Sequence, residues 1–371
     1  MKKALLTATV QSHIAQFHKP LIRILKENGY EVHIAARNNL AEKNGLQIEG
    51  ADVIYDLPFS RSPKSTDNIR AYKELKKILQ ENQYEMIQCN TPVGGVVTRL
   101  VARKARKKGT KVYYTAHGFH FYKGAPIKNW LIYYPIEKYL ARYTDKLVTI
   151  NQEDYQCAQK HFQTDVYHIH GVGADGSRYN TEQAEDSLRE ELGYTKDVFL
   201  VLCTGELNQN KNQKTLISAI SKLPQKAIKV VLAGNGANEA DLRSMIANLQ
   251  LEDRVKLVGY RVDLERFVKI SDLVVSMSIR EGLGLNIIEG MLCEKPVIGA
   301  YNRGHKDLIE EDMGGYMVNA QDADTLAEQI ERLYLDAELR KQMGTYNQEK
   351  AQAFLAENVA EELRKIYELD I

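Results

Sequence analysis

Cysteine is scarce in this chain of 371 residues, which has four copies of it and a single tryptophan. The cysteines are scattered and form no Cys-x-x-Cys pair, a pattern that argues against both a disulfide framework and a cysteine zinc site. We expect them to be small core residues of a protein from a reducing compartment, at positions Cys89, Cys157, Cys203 and Cys293.

Long hydrophobic runs are also missing. No stretch of about 18 or more apolar residues occurs, so no segment is predicted to span a membrane. The apolar run near the N-terminus is short and is followed by the polar residues 11–13, which indicates a first buried strand instead of a signal peptide.

Net charge is nearly absent, at +1, but it is unevenly distributed. Residues 1–177 carry 26 Lys and Arg against 16 Asp and Glu, whereas residues 178–371 carry 24 against 33. A basic half joined to an acidic half suggests a surface that meets an anionic partner.

Strand-like and helix-like patterns alternate along the chain, in two series. The first series has strands at 4–10, 31–36, 53–55, 86–89, 111–115 and 147–150, and helices at 17–28, 67–82 and 91–106. The second has strands at 199–203, 229–233, 255–258, 273–276 and 296–299, helices at 213–222, 240–249, 262–270 and 285–293, and a mostly helical tail at 324–371. Such alternation predicts an α/β protein with two Rossmann-like, doubly wound domains that face a cleft, with ligands outside the carboxyl ends of the strands.

The stretch 276–289 contains the strongest chemical signal. A buried strand turns through Gly282 and Gly284 into a helix, which places backbone N–H groups at the positive end of a helix dipole, where a phosphate binds well. Glu281 lies at the start of the turn, and Glu289 lies about one turn into the helix. Ionised carboxylates accept hydrogen bonds from diols. Phosphate and diols together describe a nucleotide-sugar. The alternative is that Glu281 is a solvated loop charge and Glu289 an ordinary polar residue of a surface helix.

Further candidates lie at other strand ends. His117 and His120 follow a predicted strand and suit a sugar contact or proton transfer, although a histidine satisfied by a backbone carbonyl is the alternative. Lys211 and Arg280 are candidate cations for a diphosphate, and Lys211 is otherwise a solvated loop residue.

Two segments with acidic residues are better explained by helix caps. Segment 259–263, which contains Arg261, could hold a nucleobase edge, but Asp263 is more simply a helix cap. Asp322 and Asp324 match an Asp-x-Asp metal pattern, yet the helical sequence that follows favours a cap. No other cluster with the spacing of metal ligands appears, so no metal is expected.

A basic and aromatic region spans residues 96–143. Seven Lys and Arg at 99–111 precede the aromatic, amphipathic stretch 129–143, a combination that suits an anionic membrane surface. The alternative is a solvated helix beside a core helix. Nucleic acid is disfavoured because no nucleic-acid-binding module is evident.

The pattern Glu281-x7-Glu289, with its two internal glycines, resembles the signature of retaining glycosyltransferase family 4, which has the GT-B fold. The resemblance covers essentially the whole chain. Segments 115–130 and 171–175 look like those of bacterial members that build exopolysaccharide, capsule or O-antigen. It implies an acceptor-side domain at 1–178, a nucleotide-sugar domain at 179–348 and a helix at 349–371 that packs back on the first domain.

The resemblance also implies roles for individual residues. Glu289 would hold the ribose diol and Glu281 the hydroxyls of the donor sugar, while Lys211 would hold the diphosphate and His117 would touch the sugar. The expected catalytic residues are therefore His117, Lys211 and Glu281. The remaining donor-binding residues would be Gly205, Glu206, Arg261, Arg280, Gly282, Leu283, Gly284 and Leu285, and the acceptor-side residues would be Ser12, His13 and His120.

The sequence departs from the family at two places. Glu206 occupies the position after Gly205 where the family usually has arginine, which removes one diphosphate cation unless Arg280 compensates. Residues 10–14 replace the glycine-rich first loop of many members.

The predicted function is a metal-independent, retaining transfer of a hexose from a nucleotide diphosphate sugar, expected to be UDP-linked, to a lipid-linked saccharide acceptor. The expected site of action is the cytoplasmic face of the cell membrane. No enzymic nucleophile is evident, which favours a front-face reaction over a covalent intermediate. Two alternatives remain: a nucleotide-sugar 2-epimerase, which Glu206 could serve as a base, and a non-catalytic sugar-binding protein.

Overall fold

The computed structural model describes residues 2–43, 46–179 and 185–370; the last residue of the predicted helical tail, Ile371, lies outside them. The strands of the described part are β1 (Lys2–Val10), β2 (Tyr30–Arg37), β3 (Val53–Asp56), β4 (Met86–Asn90), β5 (Lys111–Ala116), β6 (Lys146–Thr149), β7 (Asp165–His168), β8 (Phe199–Thr204), β9 (Ile228–Ala233), β10 (Val255–Gly259), β11 (Leu273–Ser276), β12 (Val297–Ala300) and β13 (Gly315–Val318).

The helices of the same residues are α1 (Gln11–Phe17), α2 (Lys19–Glu27), α3 (Asp67–Glu81), α4 (Pro92–Arg106), α5 (Ile127–Ala141), α6 (Gln152–His161), α7 (Glu185–Glu191), α8 (Gln213–Lys222), α9 (Glu239–Asn248), α10 (Leu264–Ile270), α11 (Leu285–Leu292), α12 (Arg303–Leu308), α13 (Ala323–Leu335), α14 (Ala337–Ala351) and α15 (Ala356–Tyr367). Short 3-10 turns lie at Leu40–Lys43, Gly176–Tyr179 and Gln352–Phe354. None of the helices in the described ranges combines the length and the apolar character that a membrane crossing requires.

The chain divides into two compact units, one formed by Met1–Gly173 with Ala356–Ile371 and the other by Ala174–Leu355. The first contains a parallel sheet in the order β3-β2-β1-β4-β5-β6-β7, and the second a parallel sheet in the order β10-β9-β8-β11-β12-β13. In each sheet the chain begins at an inner strand, β1 or β8, adds two strands towards one edge and then adds the remaining strands on the other side. This is the doubly wound arrangement that the alternation of strands and helices predicts.

The last helix, α15, belongs to the first unit and packs on α2. The Tyr367 hydroxyl donates to Gln88 Oε1 of β4, and the Arg364 guanidinium pairs with Glu27 at the end of α2. These contacts hold the end of the chain to the first sheet, and α15 therefore crosses back as predicted.

The predicted helix at 17–28 corresponds to α2, which starts two residues later because the backbone leaves helical geometry at His18 (φ −121°, ψ 15°). The short helix α1, which starts directly after β1, was not predicted. Pro20 lies in the first turn of α2, where its missing N–H costs nothing, so it favours a new helix start. The predicted helix at 67–82 corresponds to α3, whose buried face contains Ala71, Leu75 and Ile78.

Strands β7 and β13 are not predicted by the sequence patterns. Asp165–His168 is a half-exposed edge strand with mixed polarity, so it lacks an apolar run. Gly315–Val318 is buried but only four residues long and begins with glycine. Short edge strands are recognised through their pairing, which a local pattern does not contain.

Candidate active site

The turn between β11 and α11 has the predicted strand–turn–helix form. Gly284 immediately precedes α11, and no side chain caps the helix there. The first N–H groups of a helix have no intrahelical acceptor, so they can bind an anion. A Cβ on Gly284 would lie 3.0 Å from His305 Cδ2, so the tightness of the packing favours glycine.

Lys211 and Glu281 form an ion pair beside this turn. Their Nζ and Oε1 atoms are 2.6 Å apart, and the two side chains are 25% and 18% exposed. The loop that bears Lys211 is fixed to the turn because Ile279 N donates to Asn210 O at 2.8 Å and Asn210 Nδ2 donates to Arg280 O at 3.0 Å. Two predicted catalytic residues, 70 positions apart in the chain, are thus in direct contact.

Gly205 makes room for the lysine. Its φ of +135° lies in the left-handed region, and a Cβ there would come within 3.2 Å of Lys211 Cε. The neighbouring Glu206 is exposed, and its backbone carbonyl accepts a hydrogen bond from Gln213 Nε2 at 3.0 Å. Any larger residue at position 205 would displace the Lys211 side chain.

Glu289 lies one turn into α11 against Tyr179, a residue that the sequence patterns did not single out. The Tyr179 hydroxyl hydrogen-bonds the carboxylate, and Arg178 lies near it while pairing with Glu265 at 2.5 Å. Burial raises the pKa of Glu289, and the opposing effects of Tyr179 and Arg178 do not cancel this increase. Binding a diol would supply this carboxylate with the hydrogen bonds that burial takes away.

The raised pKa of Glu289 leads to a stability prediction. Ionisation of the Glu289 carboxyl lowers the free energy of unfolding. The contribution of Glu289 to stability is therefore most favourable below the ordinary glutamate pKa and is lost as the pH rises through the raised pKa. We expect Glu289→Gln to have a higher Tm than wild type at neutral pH, and the difference to shrink towards about pH 4. Thermal unfolding across this range measures the effect, with the exposed mid-helix change Glu328→Gln as the control. A Glu289→Gln variant that is less stable than wild type at pH 7 would contradict the prediction.

His305 lies against Gly284 of the turn, and the sequence patterns did not single it out. It is fully buried, its Nδ1 lies 2.9 Å from Ala300 O, and its backbone N–H donates to Asn302 Oδ1. Its Nε2 has no hydrogen-bond partner within the described residues and lies on the side of Gly284. Burial lowers the pKa of His305, although Glu281 acts in the opposite direction. The cap residue Asn302, three positions before His305, is the only local signal for this arrangement.

The remaining predicted donor residues have different surroundings. Arg280 is exposed, and Leu285 is 38% exposed at the start of α11. Arg261 pairs with Asp263 through contacts of 2.8 and 2.7 Å, and its guanidinium stacks over Phe267. The predicted capping role of Asp263 is wrong, because its carboxylate binds Arg261 and makes no side-chain cap bond.

Asp322 does act as the predicted helix cap. Its carboxylate accepts hydrogen bonds from Thr325 N at 3.0 Å and from Thr325 Oγ1 at 2.7 Å at the start of α13. Its companion Asp324 instead pairs with Lys222 at 2.7 Å. Both carboxylates of this Asp-x-Asp pattern thus have protein partners.

The predicted acceptor-side residues lie in the first unit. Ser12 is buried in α1, where it exchanges two hydrogen bonds with Asn39. His117 follows β5, and its ring centroid lies 4.4 Å from that of His13. His120 stacks on Tyr133 with a centroid distance of 4.6 Å.

Two protein-family models match the chain. The model described as "Glycosyl transferases group 1" matches residues 184–350, and the model described as "Glycosyl transferase 4-like" matches residues 3–151.

Individual proteins resemble the chain over greater lengths. It is 40% identical to "Putative glycosyltransferase EpsD" of Bacillus subtilis (strain 168), over 99% of this chain and 96% of that protein. It is 25% identical to the UDP-Gal:alpha-D-GlcNAc-diphosphoundecaprenol alpha-1,3-galactosyltransferase of Escherichia coli, over 73% of each chain.

A solved structure extends the likeness to the fold. The Anabaena protein Alr3699/HepE, crystallised with UDP and glucose, superimposes with a TM-score of 0.81 at 23% identity, covering 99% of this chain and all of that one. This whole-chain match confirms the predicted GT-B fold. On the evidence of both family models and of the full-length relative, the chain belongs to the glycosyltransferases of the group 1 and 4-like families.

Proposed function

We propose that this protein transfers a hexose, with retention of anomeric configuration, from a UDP-sugar to a lipid-linked saccharide during surface polysaccharide synthesis. The contact between Lys211 and Glu281 beside the start of α11 carries the proposal. A cation, a sugar-binding carboxylate and a helix N-terminus meet there, which are the groups that a diphosphate joined to a sugar needs. The E. coli relative, whose name specifies a UDP-sugar and a lipid diphosphate, supports the choice of substrates.

Different residues of the second unit bind different parts of the donor. Lys211 and the N–H groups at Gly284 and Leu285 hold the diphosphate, Glu281 binds hydroxyls of the sugar, and Glu289 binds the ribose diol. Lys211 and Glu281 pair with each other, so we expect donor binding to exchange this ion pair for contacts to the substrate. Arg280 is exposed beside them and can add a second cation, which compensates for glutamate at position 206.

The bond changes follow from these positions. The bond between the anomeric carbon and the diphosphate oxygen breaks, and the bonding electrons leave with the diphosphate. The acceptor hydroxyl forms the new bond on the same face and passes its proton to a departing diphosphate oxygen. Lys211 and the start of α11 stabilise the charge that develops on the leaving group. We infer that this step needs no divalent ion at the diphosphate, so omission of Mg²⁺ and Mn²⁺ should leave the rate unchanged.

Donor binding and transfer can be tested in two steps. UDP and UDP-hexoses should raise the Tm of the purified chain, and Glu289→Gln should reduce that increase. Incubation of a UDP-hexose with a lipid-diphosphate saccharide should then yield a product whose anomeric configuration, read by NMR, matches the donor. An inverted product would contradict retention, and a new sugar isomer formed without acceptor would indicate an isomerase.

Helix α5 presents an unusual exposed apolar face that supports action at a membrane. Ile127, Leu131 and Ile132 are 78%, 72% and 52% exposed, and α5 packs beside α4. Exposed Lys104, with Lys107 and Lys108 after the helix, adds positive charge at the C-terminal end of α4. Apolar side chains next to lysines suit the surface of an anionic lipid bilayer.

We therefore expect the full chain to sediment with anionic vesicles, more strongly at low salt. Leu131→Glu should weaken this binding by about 10-fold or more, because it replaces an exposed leucine that would enter the bilayer with a charge of the same sign as the lipid. Leu335→Glu, at a leucine that is 70% exposed in α13 of the other unit, is the matched control. Equal vesicle binding by the two variants would contradict a role for α5.

A further inference from the structure

We propose that His13, His18 and His117 bind one divalent transition-metal ion, of the Zn²⁺ type, through their imidazole nitrogens. The site lies in the first unit and nothing in the donor chemistry above requires it. One ring nitrogen from each histidine lies within 4.8 Å of the other two. The ring centroid of His18 lies 5.5 Å from that of His13 and 5.4 Å from that of His117.

The break between α1 and α2 brings the first two histidines together. Five residues along a continuous helix correspond to about 500°, so His13 and His18 would point about 140° apart. The non-helical backbone at His18 removes this constraint. His117 arrives from the end of β5, and Gly118, at φ +121°, turns the chain immediately afterwards. Three separate local features thus direct the imidazoles to one point.

The Nε2 atoms of all three histidines are buried and have no hydrogen-bond partner within residues 2–43, 46–179 and 185–370. His18 is only 6% exposed. Buried polar atoms in native proteins are normally satisfied, so three orphaned nitrogens at one place point to a shared ligand. Burial also lowers the pKa of each imidazole, to about 4 for His117, which keeps the rings in the neutral form that binds metals.

Three neutral imidazoles favour Zn²⁺, Co²⁺, Ni²⁺ or Cu²⁺ over Mg²⁺ or Ca²⁺, which prefer oxygen. Metal–nitrogen bonds of about 2.0–2.1 Å place tetrahedral ligands about 3.4 Å apart, so the rings need only approach one another through side-chain rotation. Three protein ligands leave a fourth position open to water or another oxygen.

Metal binding at this site does not depend on the proposed transferase function, so the two proposals can fail separately.

Direct titration of the full chain tests the site. Protein stripped with a chelator is titrated with Co²⁺ alone, followed by visible absorption, and then with Zn²⁺ as the competitor. We expect one equivalent to bind, and His18→Ala or His117→Ala to weaken binding by at least about 100-fold, the upper range for outer-shell changes. His161→Ala, at an exposed histidine of α6, is the control and should bind as wild type does.

A second readout protects the test against misfolding. Zn²⁺ should raise the Tm of wild type but not of His18→Ala. The UDP-induced increase in Tm, measured on the same variants, reports the donor site independently. Absence of stoichiometric binding, or equal affinity in His18→Ala and His161→Ala, would overturn the proposal.

Discussion

Replacing Lys211 with alanine is expected to lower the turnover of sugar transfer by about 10²-fold or more. Lys211 Nζ is a cation held beside the start of α11, where the proposed mechanism places the developing charge of the diphosphate. An interaction that strengthens as the bond breaks acts on kcat, whereas one made equally in the ground state acts on KM. We therefore expect most of the loss in kcat, measured under saturating donor.

The chain offers a matched control three positions further on. Lys214 is an exposed lysine in the first turn of α8, and Lys214→Ala should leave kcat nearly unchanged. Both variants should fold, since an exposed or partly exposed ion pair contributes at most about 1 kcal/mol to stability. Unchanged turnover in Lys211→Ala would remove this residue from the mechanism.

The ion pair between Lys211 and Glu281 allows a double-mutant test of whether the two residues act together. Because the two side chains are in contact at 2.6 Å, the effects of Lys211→Ala and Glu281→Ala should not add in the double variant. Additive losses would mean that the two residues act on the substrate independently. Measuring kcat/KM for the four proteins of the cycle distinguishes these cases.

The largest loss of stability is expected from Glu137→Ala in the first unit. Arg99 of α4 is 1% exposed, and its guanidinium donates to Glu137 Oε2 of α5 at 2.7 Å. The same guanidinium lies 3.9 Å from the ring of Tyr114, and its Nε donates to Gly95 O. Removing Glu137 leaves a buried, uncompensated charge, which typically costs about 3–5 kcal/mol.

Urea unfolding measures this loss, with Glu81→Ala as the control. Glu81 is the exposed partner of Lys77 in α3, at 3.7 Å, so its removal should cost less than about 1 kcal/mol. The double change Arg99→Met with Glu137→Leu should recover most of the stability, because apolar residues of similar volume can replace a buried ion pair. A loss below about 1 kcal/mol in Glu137→Ala would show that Arg99 reaches solvent.

The accuracy of the sequence predictions depended on how local the signal was. The strand at 199–203 is an apolar run and forms β8 over nearly the same residues, whereas β13 lacks such a run and was missed. The predicted helix at 17–28 forms α2 over residues 19–27, whereas the short helix α1, which starts directly after β1, was missed. The glycine turn at 282–284 could be predicted because strand, turn and helix are consecutive.

The sequence by itself determined the chemistry that is available: two series of alternating strands and helices, carboxylates on either side of a glycine turn, and lysine and histidine at strand ends. Hydrophobic periodicity is a local property, so it specifies these elements without knowledge of their neighbours. Only the tertiary structure decided which side chains meet. The pairing of Lys211 with Glu281, the contact of Tyr179 with Glu289 and the convergence of three histidines each join distant segments. Such contacts depend on strand order and helix packing, which no local pattern contains.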